Sequence, residues 1–221
     1  MTTQRIPLPD ASERPSAAPM KHYKAIYARQ DPQEISERTG LKYDAETAAF
    51  SLSLLGSPLM VSHPDFTLTE AAGTPRVNPY EQLLIIRYLT EGRYVAGSGK
   101  LVSYEELPWG SVYMQNFRGR VIGRLAREFG AGPKPFSAVV ETMPNLRFER
   151  LARGDSSYRI EFIDKLFVNL IYYESDDEFP ASFQVLFDDT IKYAFSAEDV
   201  AVVGDILIGR LKAHRSAIVP R

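Results

Sequence analysis

Two blocks of strand pattern, set far apart with helical sequence between them, constrain this chain more than any other feature. Residues 48–70, "AAFSLSLLGSPLMVSHPDFTLTE", alternate apolar and polar at Phe50, Leu52 and Leu54, and Gly56, Ser57 and Pro58 read as a turn. After Asn145 come "SYRIEFID", "KLFVNLIYYES" and "ASFQVLFDD", rich in aromatic and β-branched residues and separated by turn signals. Two strand groups with helices between them predict a single α+β domain. Its antiparallel strands form an N-terminal hairpin region and a C-terminal meander, packed with about five to six helices.

The helices announce themselves by their ends. One is expected from about Ala18 to Gln30. A second follows Asp31 as cap, with Pro32 at the first helical position, Glu34 reaching back and Gly40 as the stop. "NPYEQLLIIRYLTEG" is the clearest helix: Asn78 caps it, Pro79 opens it, Glu81 is expected to close a capping box, and Gly92 ends it. Further helices are predicted over Tyr113–Phe129, Pro135–Met143, and from Ser196 with Asp199 to about Ala213. Residues 1–18, rich in Pro, Ser and Ala and without a period, read as a flexible leader before a single domain over 19–221.

Composition then removes whole classes of function. The chain has 221 residues and no cysteine, which excludes disulfides, thiolate metal sites, iron–sulfur ligation and cysteine nucleophiles. A formal net charge of −2 gives no electrostatic argument for nucleic acid or an anionic membrane. No apolar run approaches the roughly 18 residues of a membrane span, and no secretory signal opens the chain. The expectation is a soluble cytoplasmic protein.

The stretch "LPWGSVYMQNFRGRVIGRLAREFG", Leu107 to Gly130, holds the only tryptophan, five arginines and two closely spaced glycines. Stepped at about 100° per residue, Met114, Phe117, Val121, Ile122, Leu125 and Phe129 form one apolar stripe. Arg120, Arg124 and Arg127 gather on another side, as a solvated face or a holder of phosphates and carboxylates. Arg118 falls inside the apolar stripe, between Leu125 and Phe129 in angle. A guanidinium there needs a partner. The candidates are an internal carboxylate such as Asp188 or Asp189, an anionic ligand, or water reached by snorkelling. Gly119 and Gly123 suit close packing of another element or close approach of a flat ligand. Trp109 and Pro108 stand at the helix entry, as a packing lid or a stacking platform.

Other signals are weaker. "GSGK", Gly97 to Lys100, lacks phosphate-loop spacing, with Tyr94 and Leu101 in the wrong places. His22, His63 and His214 show no metal-ligand spacing, and no metal site is expected. His63, in a hairpin that could overhang a pocket, is retained as an axial-ligand candidate. "YYESDDEFP" concentrates Glu174, Asp176, Asp177 and Glu178 in one connection, a solvated hairpin tip or a docking patch for a basic partner.

Three segments together resemble a known family: "LLIIRYL", "YEELPWGSVYMQNFRGRVIGRLAREFG" and "DDEFPASFQVLFDDTIKYAFSAEDVAVVGDILIGRL". They are similar to proteins of anaerobic bacteria and archaea catalogued as a domain of unknown function, number 3786. The resemblance extends from about Lys21 to Leu211. Its middle motif resembles "LPGG..Y...F.GR" and its late motif "DEEFP....ILFD......PTEDLAVLGE". The matching positions include Pro108, Gly110, Tyr113, Phe117, Arg118, Arg120, Glu178, Phe179, Pro180, Phe187, Asp188 and Gly204. Trp109 stands where the motif has glycine. Some members carry an iron–sulfur label, which a chain without cysteine cannot share. The resemblance implies a setting in anaerobic metabolism and no activity.

The functional expectation is a binding module for a small anionic or planar cofactor, with a tetrapyrrole as one such group. Arg118 and Arg120 would engage its anionic groups, Trp109, Tyr113 and Phe117 would give apolar contact, and His63 would be an axial ligand. Asp188 joins this set as a candidate. Two alternatives stand beside it: an enzyme with Asp188 as base and Arg118 as electrostatic stabiliser, and an accessory protein docking through the acidic hairpin 174–178.

Overall fold

A computed structural model describes residues 17–218. The expected leader, 1–18, therefore lies almost wholly outside the described residues. Helices α1 (Ala17–Tyr27) and α2 (Pro32–Thr39) come first. Strands β1 (Lys42–Asp44), β2 (Ala49–Leu54), β3 (Ser57–Ser62) and β4 (Leu68–Glu70) follow, then α3 (Pro79–Glu91) and β5 (Leu101–Ser103). A long helix over 110–129 is built from α4 (Gly110–Phe117), a π-turn (Arg118–Ile122) and α5 (Gly123–Phe129). After α6 (Pro133–Thr142) come β6 (Phe148–Arg150), β7 (Ser156–Ile163), β8 (Leu166–Tyr173) and β9 (Ser182–Asp188). A one-turn helix, α7 (Ile191–Ala194), leads into α8 (Ala197–Ile218).

The predicted α+β class holds. All nine strands join one antiparallel sheet in the order β4-β3-β2-β7-β8-β9-β5, with β1 added to β2 and β6 to β7. The two strand blocks are tied at one corner, where Leu54 of β2 pairs with Ile163 of β7. The Leu55 N–H donates to Phe162 O at 2.9 Å and extends this join. Gly56 turns there at φ 79°, and a Cβ on it would stand 2.6 Å from the Asn145 backbone, so the corner needs glycine.

Register decides which residues meet the helices. Tyr158 and Ile160 of β7 sit opposite Leu170 and Val168 of β8, and these opposite Val185 and Phe187 of β9. All six are buried. Phe136 of α6 meets Tyr158 and Phe183 edge-on at 5.6 and 5.1 Å. Phe117 stacks on Tyr104 at 3.9 Å and meets Phe187 edge-on. Each such ring, fully buried, contributes roughly 1.5–3 kcal/mol. The 110–129 helix lies between β9 and α8, and α8 also packs on α3 and α6.

Caps follow the sequence with one correction. Asp31 accepts from Gln33 N at 2.7 Å, and Asn78 from Tyr80 N and Glu81 N. Ser196 and Asp199 bond reciprocally at the start of α8. Glu81, expected to close a capping box, turns instead to two arginines brought from elsewhere. A charge-assisted bond in a buried place outweighs a neutral one to its own helix end.

Candidate functional site

The site is built around α8. Where this helix crosses the 110–129 helix, Gly204 lets the two approach: a Cβ there would lie 2.6 Å from Val121 Cγ2. Beside that contact the surface opens into a cleft of about 840 Å3. One wall is α8, with Asp205, Ile206, Gly209 and Arg210. The facing wall is the long helix, with Gln115, Asn116, Gly119, Arg120, Arg124 and Arg127. The start of α3 and the residues before it close the end with Arg76, Asn78, Tyr80 and Glu81. Gly119 and Gly209 have nothing within 4 Å of where a Cβ would be, so the floor is bare on both helices.

Charge dominates this cleft. Five guanidiniums face two carboxylates, a formal excess of three positive charges. Asp205 takes both Arg120 and Arg124, the latter at 3.4 Å. Glu81, 1% exposed, takes Arg76 Nε at 2.7 Å and Arg210 Nε at 3.1 Å. Arg76 also reaches Glu70 at 2.6 Å. The hydrogen bond to Glu81 raises the Arg76 pKa, whereas burial lowers that of Arg210. Among the described residues Arg127 forms no ion pair, and Arg210 Nη2 is buried without a hydrogen-bond partner. No lysine lines the cleft. Arginine forks suit planar or tetrahedral oxyanions, which they grip with two parallel bonds.

The residues singled out from sequence do not assemble into one site. Arg120 alone lines the cleft. Arg118 is the main correction. It was placed in the apolar stripe with Asp188 or Asp189 as internal partners, yet it is exposed. Among the described residues it forms no ion pair. The reason is the π-turn that Arg118 itself begins, where the Gly123 N–H bonds to Arg118 O. In a regular α-helix, steps of four residues drift around the axis, since a turn takes 3.6. A π-turn takes more residues and absorbs the drift. The buried line runs Phe117, Val121, Leu125, Phe129, and the residue after each falls to the flank.

The others have structural surroundings. Phe117 is 1% exposed within the core, and Tyr113 packs against that core half-buried. Trp109 is 75% exposed, neither a lid nor part of the cleft, with φ at 66° in the left-handed region. That conformation suits the glycine found at this place in the motif. Gly110 is required next to it, since a Cβ there would strike Tyr104 O at 1.8 Å. Asp188 pairs with Arg159 at 2.7 Å, and Asp189 with Ser98. His63 Nε2 lies 3.1 Å from Gln30 O and 3.3 Å from Tyr27 O, at the C-terminal end of α1. Among the described residues no group of three or more potential metal ligands occurs. No described helix is long and apolar enough to cross a membrane.

Sequence reasoning put Arg120, Arg124 and Arg127 on one side and left two uses for it. It missed Arg76, Asp205 and Arg210, which come from segments far apart in the chain. The available signal was a bare position and charges one turn apart in "GDILIGR" of α8.

No curated protein and no solved structure matches the chain. Residues 31–210 match the family described as Domain of unknown function (DUF3786), a span that takes in every wall of the cleft; the chain belongs to that family.

Proposed function

We propose that the protein is a binding module for a small anionic ligand, held in the arginine cleft between α3, the 110–129 helix and α8. One observation carries this reading: five guanidiniums surround an open, bare-floored cleft that supplies only two carboxylates. Desolvating arginines without counter-charge is costly, so the arrangement is best satisfied by a bound anion. The volume lies in the range of small-molecule sites, roughly 300–1,000 Å3. Of the earlier candidates, Arg120 keeps its role, and Arg76, Arg124, Arg127 and Arg210 join it. A planar tetrapyrrole would need apolar walls, and only Ile206 and the Tyr80 ring supply them here. We take the setting to be cytoplasmic anaerobic metabolism on the strength of the resemblance alone.

The test is thermal unfolding with pyrophosphate or citrate against sodium chloride at matched ionic strength. A ligand at a hundred times its Kd stabilises by about 2.7 kcal/mol. Arg124→Ala/Arg127→Ala should abolish that gain. If no oxyanion raises Tm beyond matched salt, the reading fails.

A second reading has one observation in its favour. Phe179 is 67% exposed beside the acidic residues 174–178. Asp176 orders that loop by accepting from Glu178 N and Phe179 N. A docking role predicts that Phe179→Ser abolishes co-purification of a partner and leaves pyrophosphate binding intact.

A further inference from the structure

The proposed anion site has an internal spacing, and the following rests on that reading. Its arginines are not evenly spread. Asp205 holds Arg120 and Arg124 at one end. Glu81 holds Arg210 and Arg76 at the other. On α8 the two ends are marked by positions 205 and 210, five residues or about 7.5 Å apart along the axis. Between and beside them lie the bare positions Gly119 and Gly209. Neutral polar side chains, Asn116 and Gln115, line the same wall.

We infer that the ligand is a small hydroxylated metabolite carrying two phosphate groups, one at each arginine pair. Three features select this class. Each anchoring carboxylate serves two guanidiniums, so each end keeps one uncompensated positive charge and a free edge for a second oxyanion. Arg127 adds a third positive charge, unpaired among the described residues. A phosphate monoester carries about −1.5 to −2 at neutral pH. Two of them therefore match an excess of three, where one phosphate or a dicarboxylate falls short. The glycines leave room for the body of the molecule between its ends, and the amides offer partners to hydroxyls. Arg210 Nη2, buried and without a partner, gains an acceptor at the Glu81 end.

The experiment is isothermal titration calorimetry on the full chain at fixed salt, with fructose 1,6-bisphosphate, glucose 6-phosphate, inorganic phosphate and a thymidine octanucleotide as probes. The expected result is binding of the bisphosphate at least tenfold tighter than either single phosphate. Gly209→Gln fills the floor without touching an arginine. It should cost at least tenfold in bisphosphate affinity with Tm unchanged or raised. Equal affinity for the single phosphates overturns the two-phosphate assignment while the anion site stands. Tighter binding of the octanucleotide assigns the spacing to a nucleic-acid backbone and overturns it likewise. Unchanged affinity in Gly209→Gln puts the ligand elsewhere. No binding by any probe removes this inference together with the anion reading.

Discussion

Gly204 and Gly209 stand five residues apart on α8 and answer to opposite demands. At Gly204 a Cβ would press on Val121 at 2.6 and 2.8 Å, so the residue is glycine because another helix is already there. At Gly209 nothing lies within 4 Å, and within the fold no neighbour requires the absence of a side chain. The carboxylates nearby repeat the contrast. Glu81 is 1% exposed and ties two arginines into the interior, whereas the Asp205 side chain is 22% exposed and faces the cleft. One side of α8 is settled by packing, and the other is left open at a cost in helix propensity. That is the pattern expected where a helix serves a core on one side and a ligand on the other.

The largest expected effect comes from the buried carboxylate. Glu81→Gln leaves Arg76 and Arg210 without counter-charge and should destabilise by roughly 3–5 kcal/mol, read from urea unfolding. A loss below about 1 kcal/mol would erase the difference between the two carboxylates. Next is Gly204→Ala, which should cost about 1–3 kcal/mol by overpacking. That corresponds to a fall in Tm of about 2–4 °C for each kcal/mol. Combining it with Val121→Ala should cost less than the two changes added, because the second removes the atoms struck by the first. Simple additivity would show that the close approach at this crossing is not what holds glycine there.

Asp205→Asn sharpens the open side. It should change stability by no more than about 1 kcal/mol, since the pair is partly exposed. By releasing Arg120 and Arg124 it should tighten pyrophosphate binding severalfold. A weaker complex would mean that Asp205 orients the arginines more than it competes for them. Smallest is Gly209→Ala, which should gain up to about 1 kcal/mol from helix propensity. A loss would place an unseen constraint at that position and break the comparison.

Helix ends and strand blocks were readable because their causes are local. Asp31, Asn78 and the Ser196–Asp199 pair cap where they were expected, since a cap depends on its own few residues. The meander of β7, β8 and β9 was visible in alternation and turn residues. The clearest failure was Arg118, and its cause is also specific. The angular reading assumed 3.6 residues per turn, and the π-turn changes that count at the residue in question. Glu81 was read as a capping residue because only its neighbours in sequence were in view. Its two arginines come from before α3 and from the end of α8.

The sequence by itself determined that this chain forms an antiparallel sheet with helices and where most of those helices begin and end. These follow from periodicity, capping and turn chemistry, all of which act over a few residues. Only the tertiary structure decided which charges meet. Arg76, Glu81, Arg120, Arg124, Asp205 and Arg210 become neighbours through the packing of three helices, and electrostatic partnership depends on distance in space, which no local pattern encodes.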